Sequence, residues 1–291
     1  MARRKLFCEY GPVCYWISLR KERFLCRVRD LAGRQRFASI RQAEPLPALV
    51  KGHCSVIRRR LAGVDPRLQE GKARNLELAA AQVNGLIIAP GETFSFWRTV
   101  GNATRRRGYQ EGLTISGGQL GRGIGGGLCQ LANLIHWLVL NSPLTVTELH
   151  HHSDALFPDE RRTVPFGTGT SVFYNNVDYR FRNDTDQPVQ LLVWLREDEL
   201  CGELRSLRPF PCRYRLVEEN SHYARLDDGY YRLSRVYKLT IDRASGRTLR
   251  RELILDNHSR VLFDPALIPP EELRREDGGQ WSPAPQKENA V

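Results

Sequence analysis

Three patterns that often reveal the class of a protein are missing from this 291-residue sequence. It has no run of 18 or more apolar residues, so a membrane-spanning helix is not expected. No Gly-Lys-Ser or Gly-Lys-Thr follows its glycines, which excludes a Walker P-loop. No Cys-x-x-Cys pair occurs and the cysteines are odd in number, so neither a zinc ribbon nor a disulfide framework is indicated. The cysteines are Cys8, Cys14, Cys26, Cys54, Cys129, Cys201 and Cys212.

The amino terminus imitates a secretory signal only in part. A basic start, Arg3 to Lys5, precedes an apolar stretch, but Glu9 and Pro12 interrupt that stretch and no clean small-residue cleavage site follows. Dispersed thiols also suit a reducing compartment. We therefore expect a cytoplasmic location, with secretion or membrane association less favoured.

Positive charge is concentrated at the amino terminus. Residues 1–60 carry 15 Lys or Arg and four Asp or Glu, a difference equal to the formal net charge of +11 for the whole chain. Such an arm can contact nucleic acid or an anionic membrane surface. Its cations are interspersed with aromatic residues, however, and no recognised nucleic-acid-binding module accompanies them. Residues 1–52 are therefore interpreted as a partly folded basic arm, and a nucleic-acid partner is not favoured.

The rest of the sequence predicts an α+β fold with a mainly antiparallel sheet, two principal core helices and a C-terminal β appendage. One helix begins at Asp65-Pro66, where aspartate can cap and proline suits the first turn, and ends at Asn84-Gly85. The other begins at Cys129 and ends at Asn141 to Pro143. Alternating segments predict strands at 86–89, 93–97, 144–153, 171–183, 189–195 and 230–241.

The C-terminal part divides into two segments by composition. Residues 205–264 contain short alternating runs joined by turn residues and predict a β-rich extension. Residues 265–291 are rich in proline and charge, which predicts a disordered tail.

A glycine-rich segment, Gly123 to Gln130, places a single cysteine at the start of the second helix. Unpaired N–H groups and the positive end of the helix dipole favour an anion there, so Cys129 is a candidate thiolate nucleophile. The alternative is a buried, inert cysteine beside glycines that only allow close packing.

The same glycines suggest a site for a developing negative charge. Gly125, Gly126 and Gly127 would expose backbone N–H groups beside the thiol, and the amide of Gln130 would join them in an oxyanion hole. The segment Gly121 to Gly126 also matches G-x-G-x-x-G, but no alternating βαβ series surrounds it. No cofactor is therefore expected.

Candidate acid and base groups follow the cysteine along the chain. In a strand, Glu148, His150 and His152 would point to one face, and Asp178 lies in the next alternating segment. Cysteine, histidine and acid occur in this order in many thiol acyl-transfer enzymes. The hypothesis assigns His152 or His150 as the base that activates Cys129, and Asp178 or Glu148 as the group that orients the imidazole. Zinc ligation by Cys129, His150 and His152 is the weaker alternative, because their spacing is not diagnostic, and no metal is expected.

Five sequence blocks resemble the VanW family. They are PGETFSFW at 90–97, RGYQEG at 107–112, GIGGGLCQ at 123–130, ELHHHS at 148–153 and VDYRFRN at 177–183. Leu149 departs from the family pattern E-R-x-x-H-S, whereas His152 and Ser153 match it. The resemblance implies a VanW-like domain over residues 53–204 and a link to vancomycin (glycopeptide) resistance and cell-wall metabolism, with no defined reaction.

Two functions from different classes follow. The preferred one is an accessory module that binds a cell-wall precursor or another peptide-like, peptidoglycan-related ligand, with Arg107, Tyr109 and Ser153 beside the glycine turn. The alternative is a Cys-His acyl transferase or amidohydrolase that acts on a peptidoglycan-type amide or ester. The exposure and acidity of Cys129 discriminate between them. The sequence makes no prediction of the oligomeric state.

Overall fold

The computed structural model describes residues 7–58, 65–116, 119–151, 154–158, 164–174 and 177–275. The helices in these ranges are α1 (Pro12–Ala32), α2 (Pro66–Val83), α3 (Phe96–Val100) and α4 (Cys129–Leu140), with 3-10 turns at Phe7–Tyr10, Arg105–Arg107, Pro265–Leu267 and Pro270–Glu272. The strands are β1 (Ala48–Val56), β2 (Leu86–Ile88), β3 (Thr93–Ser95), β4 (Glu111–Ser116), β5 (Gln119–Ile124), β6 (Thr145–Glu148), β7 (Asp154–Ala155), β8 (Arg180–Arg182), β9 (Val189–Arg196), β10 (Glu199–Ser206), β11 (Cys212–Leu226), β12 (Gly229–Asp242), β13 (Thr248–Val261) and β14 (Leu273–Arg275).

Both predicted core helices are confirmed, and local chemistry sets their ends. The Asp65 carboxylate accepts a hydrogen bond from the Arg67 backbone N–H at 2.9 Å and caps α2, with Pro66 in the first turn. The backbone of Gly85, just past the end of α2, adopts a positive φ of 78° that suits glycine. The α4 helix is apolar on most sides and lies in the middle of the core.

The central sheet has the strand order β1-β10-β9-β2 and is antiparallel throughout. The helices α2 and α4 pack on it, and α4 lies so close to β10 that a Cβ on Gly202 would stand 3.1 Å from the Leu134 side chain. Aromatic residues fill the largest buried volumes: Phe94, Phe96, Tyr179 and Phe181. These layers confirm the predicted α+β class.

A small sheet, with the order β3-β8-β6, carries most of the candidate site. The strand predicted at 93–97 stops at Ser95, because the Ser95 side chain accepts a hydrogen bond from the Arg98 N–H and starts α3 there. The strands predicted at 144–153 and 171–183 are also shorter than expected. The register between β6 and β8 shifts between Val146 and Glu148, and regular pairing ends at that point.

The C-terminal β region is larger than the sequence suggested. Its sheet has the order β14-β11-β12-β13-β7, so it includes β7 from the preceding domain and β14 from the segment predicted to be a tail. Ordered structure extends past residue 264 because Ile268 and Leu273 join an apolar cluster with Tyr223 and Val261. Residues 276–291 lie outside the described residues.

The basic arm is also partly built into the fold. The strand β1 begins at Ala48 and pairs with β10 along its length, so the central sheet extends back across the expected boundary at residue 52. Before β1, Phe37 bridges to Thr93 and Arg41 bridges to Leu86. Of the described residues of the arm, those of α1 and the turn before it lie outside the sheets. Over the described ranges, no helix combines the length and apolar character needed to cross a membrane.

A disulfide joins Cys54 to Cys201, contrary to the expectation from cysteine spacing. The two residues are 147 positions apart in the chain but directly opposite each other in the β1 and β10 register. Spacing along the chain cannot reveal a pairing that strand register creates, which is why the prediction failed. The bond therefore links the edge strand β1 to its neighbour β10 within the central sheet.

Reduction of this disulfide should destabilise the protein. We expect dithiothreitol to lower the free energy of unfolding by about 2–4 kcal/mol, because the bond closes a long loop in the unfolded chain. Urea denaturation with and without reductant measures the change, and a Cys54→Ala variant should no longer respond to reductant. Cys212→Ser, at a half-buried free cysteine, should keep the response. An identical unfolding curve for the oxidised and reduced protein would contradict the assignment.

Candidate functional site

Three of the sequence blocks converge on one buried arginine. Arg180 comes from VDYRFRN, Ser95 from PGETFSFW and Glu148 from ELHHHS, and these segments meet where β8 lies between β3 and β6. We call the group the Arg180 cluster; it consists of Arg180, Asp30, Ser95, Glu148, His150 and Asp178. Arg180 is only 7% exposed, so its charge must be matched by neighbouring groups.

Three carboxylates neutralise the guanidinium of Arg180. Its Nε lies 2.8 Å from an oxygen of Asp178 and 3.2 Å from an oxygen of Glu148. Its Nη1 lies 2.5 Å from an oxygen of Asp30, which the C-terminal end of α1 supplies. Burial alone disfavours the charged form, but the hydrogen bonds to Asp30 and Asp178 raise the pKa of Arg180 above its ordinary value. The cation is therefore permanent.

Asp178 acts as an acceptor for several donors. Its Oδ2 accepts a hydrogen bond from the Ser95 hydroxyl at 2.5 Å, in addition to the contact with Arg180. Its Oδ1 accepts the backbone N–H groups of Trp97 at 3.1 Å and Tyr179 at 2.9 Å. A carboxylate with this many donors is held in place and ties β8 to the start of α3.

Glu148 and His150 form the more exposed side of the cluster. The Nε2 of His150 lies 3.2 Å from Oε1 of Glu148, and the same oxygen accepts the backbone N–H of Asp178 at 3.1 Å. Burial acts to raise the pKa of Glu148, but the hydrogen bond to His150 and the charge of Arg180 together hold that pKa below its ordinary value. The His150 side chain is 42% exposed, so one edge of this pair faces solvent.

Cys129 lies in an apolar environment, and no hydrogen bond joins it to the described members of the Arg180 cluster. It starts α4 as predicted, but it packs against the core cluster, and its Sγ lies 3.8 Å from the Val172 carbonyl. Burial raises the pKa of the thiol, opposite to the direction that a nucleophile needs. Within the described part of the chain, no hydrogen bond joins Cys129 to an imidazole. His152 and Ser153 lie outside the described residues.

The glycine turn makes its hydrogen bonds inside the protein. The N–H of Gly125 donates to the Gln110 carbonyl at 3.0 Å, and the N–H of Gly126 donates to the Gly123 carbonyl at 3.1 Å. A Cβ on Gly126 would stand 2.2 Å from the carbonyl oxygen of Gly112, so only glycine permits this approach. These contacts favour a packing role for the turn over an oxyanion hole.

Asn75 of α2 locks this turn to the RGYQEG block. It is fully buried, and its amide donates to the carbonyls of Gln110 at 3.0 Å and Gly126 at 2.9 Å. Its side-chain oxygen accepts the N–H of Gln110 at 2.8 Å. The Asn75 side chain therefore joins the RGYQEG and GIGGGLCQ blocks through hydrogen bonds to their backbones.

Arg107 and Gln130, which were also predicted at the site, donate their hydrogen bonds to other parts of the protein. Arg107 donates from one nitrogen to the carbonyls of Val100 and Asn102, both at 2.9 Å, and so closes the end of α3. Tyr109 is 3% exposed, and its hydroxyl finds no hydrogen-bond partner among the residues that the structure describes. The amide of Gln130 donates to the Ser55 hydroxyl at 2.8 Å. Gly127 adopts a positive φ of 94° beside the Lys72 side chain.

Three residues with potential metal-ligand atoms meet between β1 and β10, and none of them belongs to the set considered from the sequence. In the described ranges, one group of three donors lies within ligand distance: Cys54, Glu199 and Cys201. The two sulfurs of this group form the disulfide, so they are not available as thiolates.

Sequence reasoning named three members of the Arg180 cluster and missed Arg180, Asp30 and Ser95. Arg180 belongs to the strand predicted at 171–183, where it stands between the core residues Tyr179 and Phe181. Its side chain is nevertheless buried because Asp30 of α1 covers it from the outside. An arginine two residues from Asp178 was the one local signal available.

The fold and the site define an α+β protein with an antiparallel core sheet and a buried arginine-centred polar cluster. The family model described as "VanW like protein" matches residues 71–205. The Vancomycin B-type resistance protein VanW of Enterococcus faecalis strain V583 is 33% identical over 201 residues, which are 69% of this chain and 73% of that protein. The chain belongs to the VanW family, and the resemblance seen in the sequence is confirmed.

A second relative comes from another bacterium. The uncharacterized protein YoaR of Bacillus subtilis strain 168 is 31% identical over 157 residues, about half the length of each chain. No solved structure matches the chain.

The environment of Cys129 predicts slow chemistry at the thiol. Iodoacetamide at neutral pH should alkylate Cys129 at least about tenfold more slowly in the native protein than in urea, because burial disfavours the thiolate. Peptide mass spectrometry after timed quenching measures both rates, and His150→Ala should leave the native rate unchanged. Rapid native alkylation that is lost in His152→Ala would instead support a thiolate-imidazole pair.

The Asp30 contact predicts a stability effect that links α1 to the site. Asp30→Asn should lower the free energy of unfolding by about 1–3 kcal/mol, because Arg180 then keeps only two carboxylates in a buried position. Asp186→Asn is the matched control, since Asp186 pairs with Arg208 at the surface and should change stability by less than about 0.5 kcal/mol. Equal effects from the two variants would contradict a structural role for the α1 contact.

Proposed function

We propose that this VanW family member is an accessory protein of glycopeptide resistance that binds a peptide-like, peptidoglycan-related ligand without cleaving it. One observation carries the choice between binding and catalysis. Cys129, the candidate nucleophile, is half-buried against the apolar core, and that environment raises the pKa of its thiol, which disfavours the thiolate that the enzyme hypothesis needs. The acids are themselves engaged with Arg180, so they hold structure in place.

The surface beside His150 is the best candidate for the ligand. The backbone N–H of Ser171 donates to the His150 carbonyl at 2.7 Å, which sets the segment 171–174 next to the histidine. Phe173 in that segment is 53% exposed, and Tyr174 stacks edge-on against Trp97 with ring centroids 5.3 Å apart. Aromatic faces beside an imidazole and a carboxylate suit a peptide that carries both apolar and charged groups. We call this surface the His150 face.

The biological role rests on the relative from Enterococcus faecalis. That protein is named as a vancomycin B-type resistance protein, and the two chains align over most of their lengths. A protein that acts in resistance must meet the cell-wall pathway that the antibiotic blocks. A peptidoglycan stem peptide is therefore the ligand class to test first.

Titration calorimetry with a soluble muramyl pentapeptide tests the proposal. The intact protein should bind it, and Phe173→Ala or His150→Ala should raise the Kd at least about fivefold, because each removes a contact from the centre of the face. Leu249→Ala is the control, since Leu249 is 63% exposed on β13 and should leave the Kd unchanged.

Two results would reject this function. Absence of binding to the pentapeptide at millimolar concentration removes the proposed ligand class. Conversion of the peptide to a new product, detected by mass spectrometry and lost in Cys129→Ser, favours the alternative acyl transferase or amidohydrolase.

A further inference from the structure

The helix α1 and the 3-10 turn before it expose an unusual set of large apolar side chains. They are Phe7, Tyr10, Val13, Tyr15, Trp16, Ile17, Phe24, Leu25, Val28 and Leu31. Val13, Phe24 and Leu31 are 69%, 66% and 82% exposed. Isolated apolar residues at a surface need no explanation, but a contiguous group of this size marks a contact surface.

Five of these residues form a stripe along one face of α1. Val13, Ile17, Phe24, Val28 and Leu31 follow one another at intervals of four, seven, four and three residues, which bring side chains to the same side of a helix. We call this set the α1 stripe. It runs along most of the helix, with Arg20 and Lys21 beside the two-turn gap between Ile17 and Phe24.

The opposite face of α1 is the one that binds the protein. Asp30 there pairs with Arg180, and Cys26 lies with its Sγ 3.2 Å from the same guanidinium. At 100° per residue, Cys26 lies about 140–160° around the helix from Phe24 and Leu31, and Asp30 lies about 100–120° from them. The ion pair thus fixes the helix with its stripe outward.

Positive charge borders the stripe. Arg20 and Lys21 are exposed on either side of it, and the guanidinium of Arg20 lies 4.2 Å from the ring centroid of Trp16. Residues 1–41 contain 11 Lys or Arg and three Asp or Glu. Exposed aromatic and aliphatic groups flanked by cations are the composition of a helix that lies in a membrane interface.

We propose that α1 binds the surface of an anionic phospholipid membrane, with the α1 stripe inserted at the level of the headgroups. The apolar side chains enter the boundary of the acyl chains, and the flanking cations pair with phosphate groups. This contact goes beyond ligand binding at the His150 face and does not depend on it.

Two other partners fit the same surface less well. A nucleic acid would attract the cations but would leave Phe24 and Leu31 without an apolar partner. A second copy of the chain would bury the stripe but would bring two strongly basic segments together, and their repulsion opposes the contact. An anionic membrane satisfies both the apolar and the charged groups.

Co-sedimentation of the full chain with lipid vesicles tests the proposal. The protein should sediment with vesicles of phosphatidylcholine and phosphatidylglycerol in equal parts, and not with vesicles of phosphatidylcholine alone. Phe24→Ser combined with Leu31→Ser should lower the partition coefficient about tenfold or more. Arg20→Gln combined with Lys21→Gln should lower it at least about fivefold, and added salt should act in the same direction.

The control uses exposed leucines away from α1. Leu249→Ser combined with Leu267→Ser removes two side chains that are 63% and 56% exposed and should leave partitioning unchanged. Circular dichroism of each variant checks that the fold is kept, and pentapeptide binding of the α1 variants should equal that of the parent chain. The proposal is wrong if the parent chain fails to sediment with anionic vesicles. It is also wrong if gel filtration shows a dimer that Phe24→Ser dissociates while vesicles bind nothing.

Discussion

The pairing of one buried guanidinium with three carboxylates is the interaction on which the arrangement of this protein depends. Arg180 gathers Asp30, Glu148 and Asp178 from parts of the chain that are up to 150 positions apart. A buried cation is costly unless its donors find acceptors, so loss of any one of these partners leaves part of the guanidinium without its hydrogen bond. The cluster therefore fixes α1, β6 and β8 relative to one another, and Ser95 adds the start of α3 through Asp178.

The contacts of Arg180 also bear on whether the site can carry out acid–base catalysis. A general acid or base needs a carboxyl or imidazole whose proton can leave and return near neutral pH. Asp178 accepts four hydrogen bonds, and Glu148 is held as an anion by His150 and Arg180. These bonds hold both carboxylates in position, and the lowered pKa of Glu148 makes that group a poor proton carrier near neutral pH. The Cys129 thiol, the candidate nucleophile, is partly buried against the apolar core.

Sequence reasoning succeeded where the deciding interactions are local. The cap at Asp65 and the glycine after α2 act within a few residues, so both ends of that helix could be read directly. It failed where partners are distant. Neither the Asp30–Arg180 pair nor the Cys54–Cys201 bond leaves a local pattern, because each depends on how strands and helices meet in space. Alternation also could not show that Asp30 of α1 covers Arg180, since it recognises only the two faces of one strand.

The helix α1 connects the His150 face to the surface that the α1 stripe contacts. Asp30 near its C-terminal end is held by Arg180, which in turn holds Glu148 beside His150. A helix of 21 residues is about 32 Å long, so an attachment along α1 keeps the His150 face within roughly that distance of the attached surface. The ion pair between Asp30 and Arg180 also restricts the angle between α1 and the rest of the protein. Binding at one face would thus occur in a fixed geometry relative to the other, without any change of shape in the domain between them.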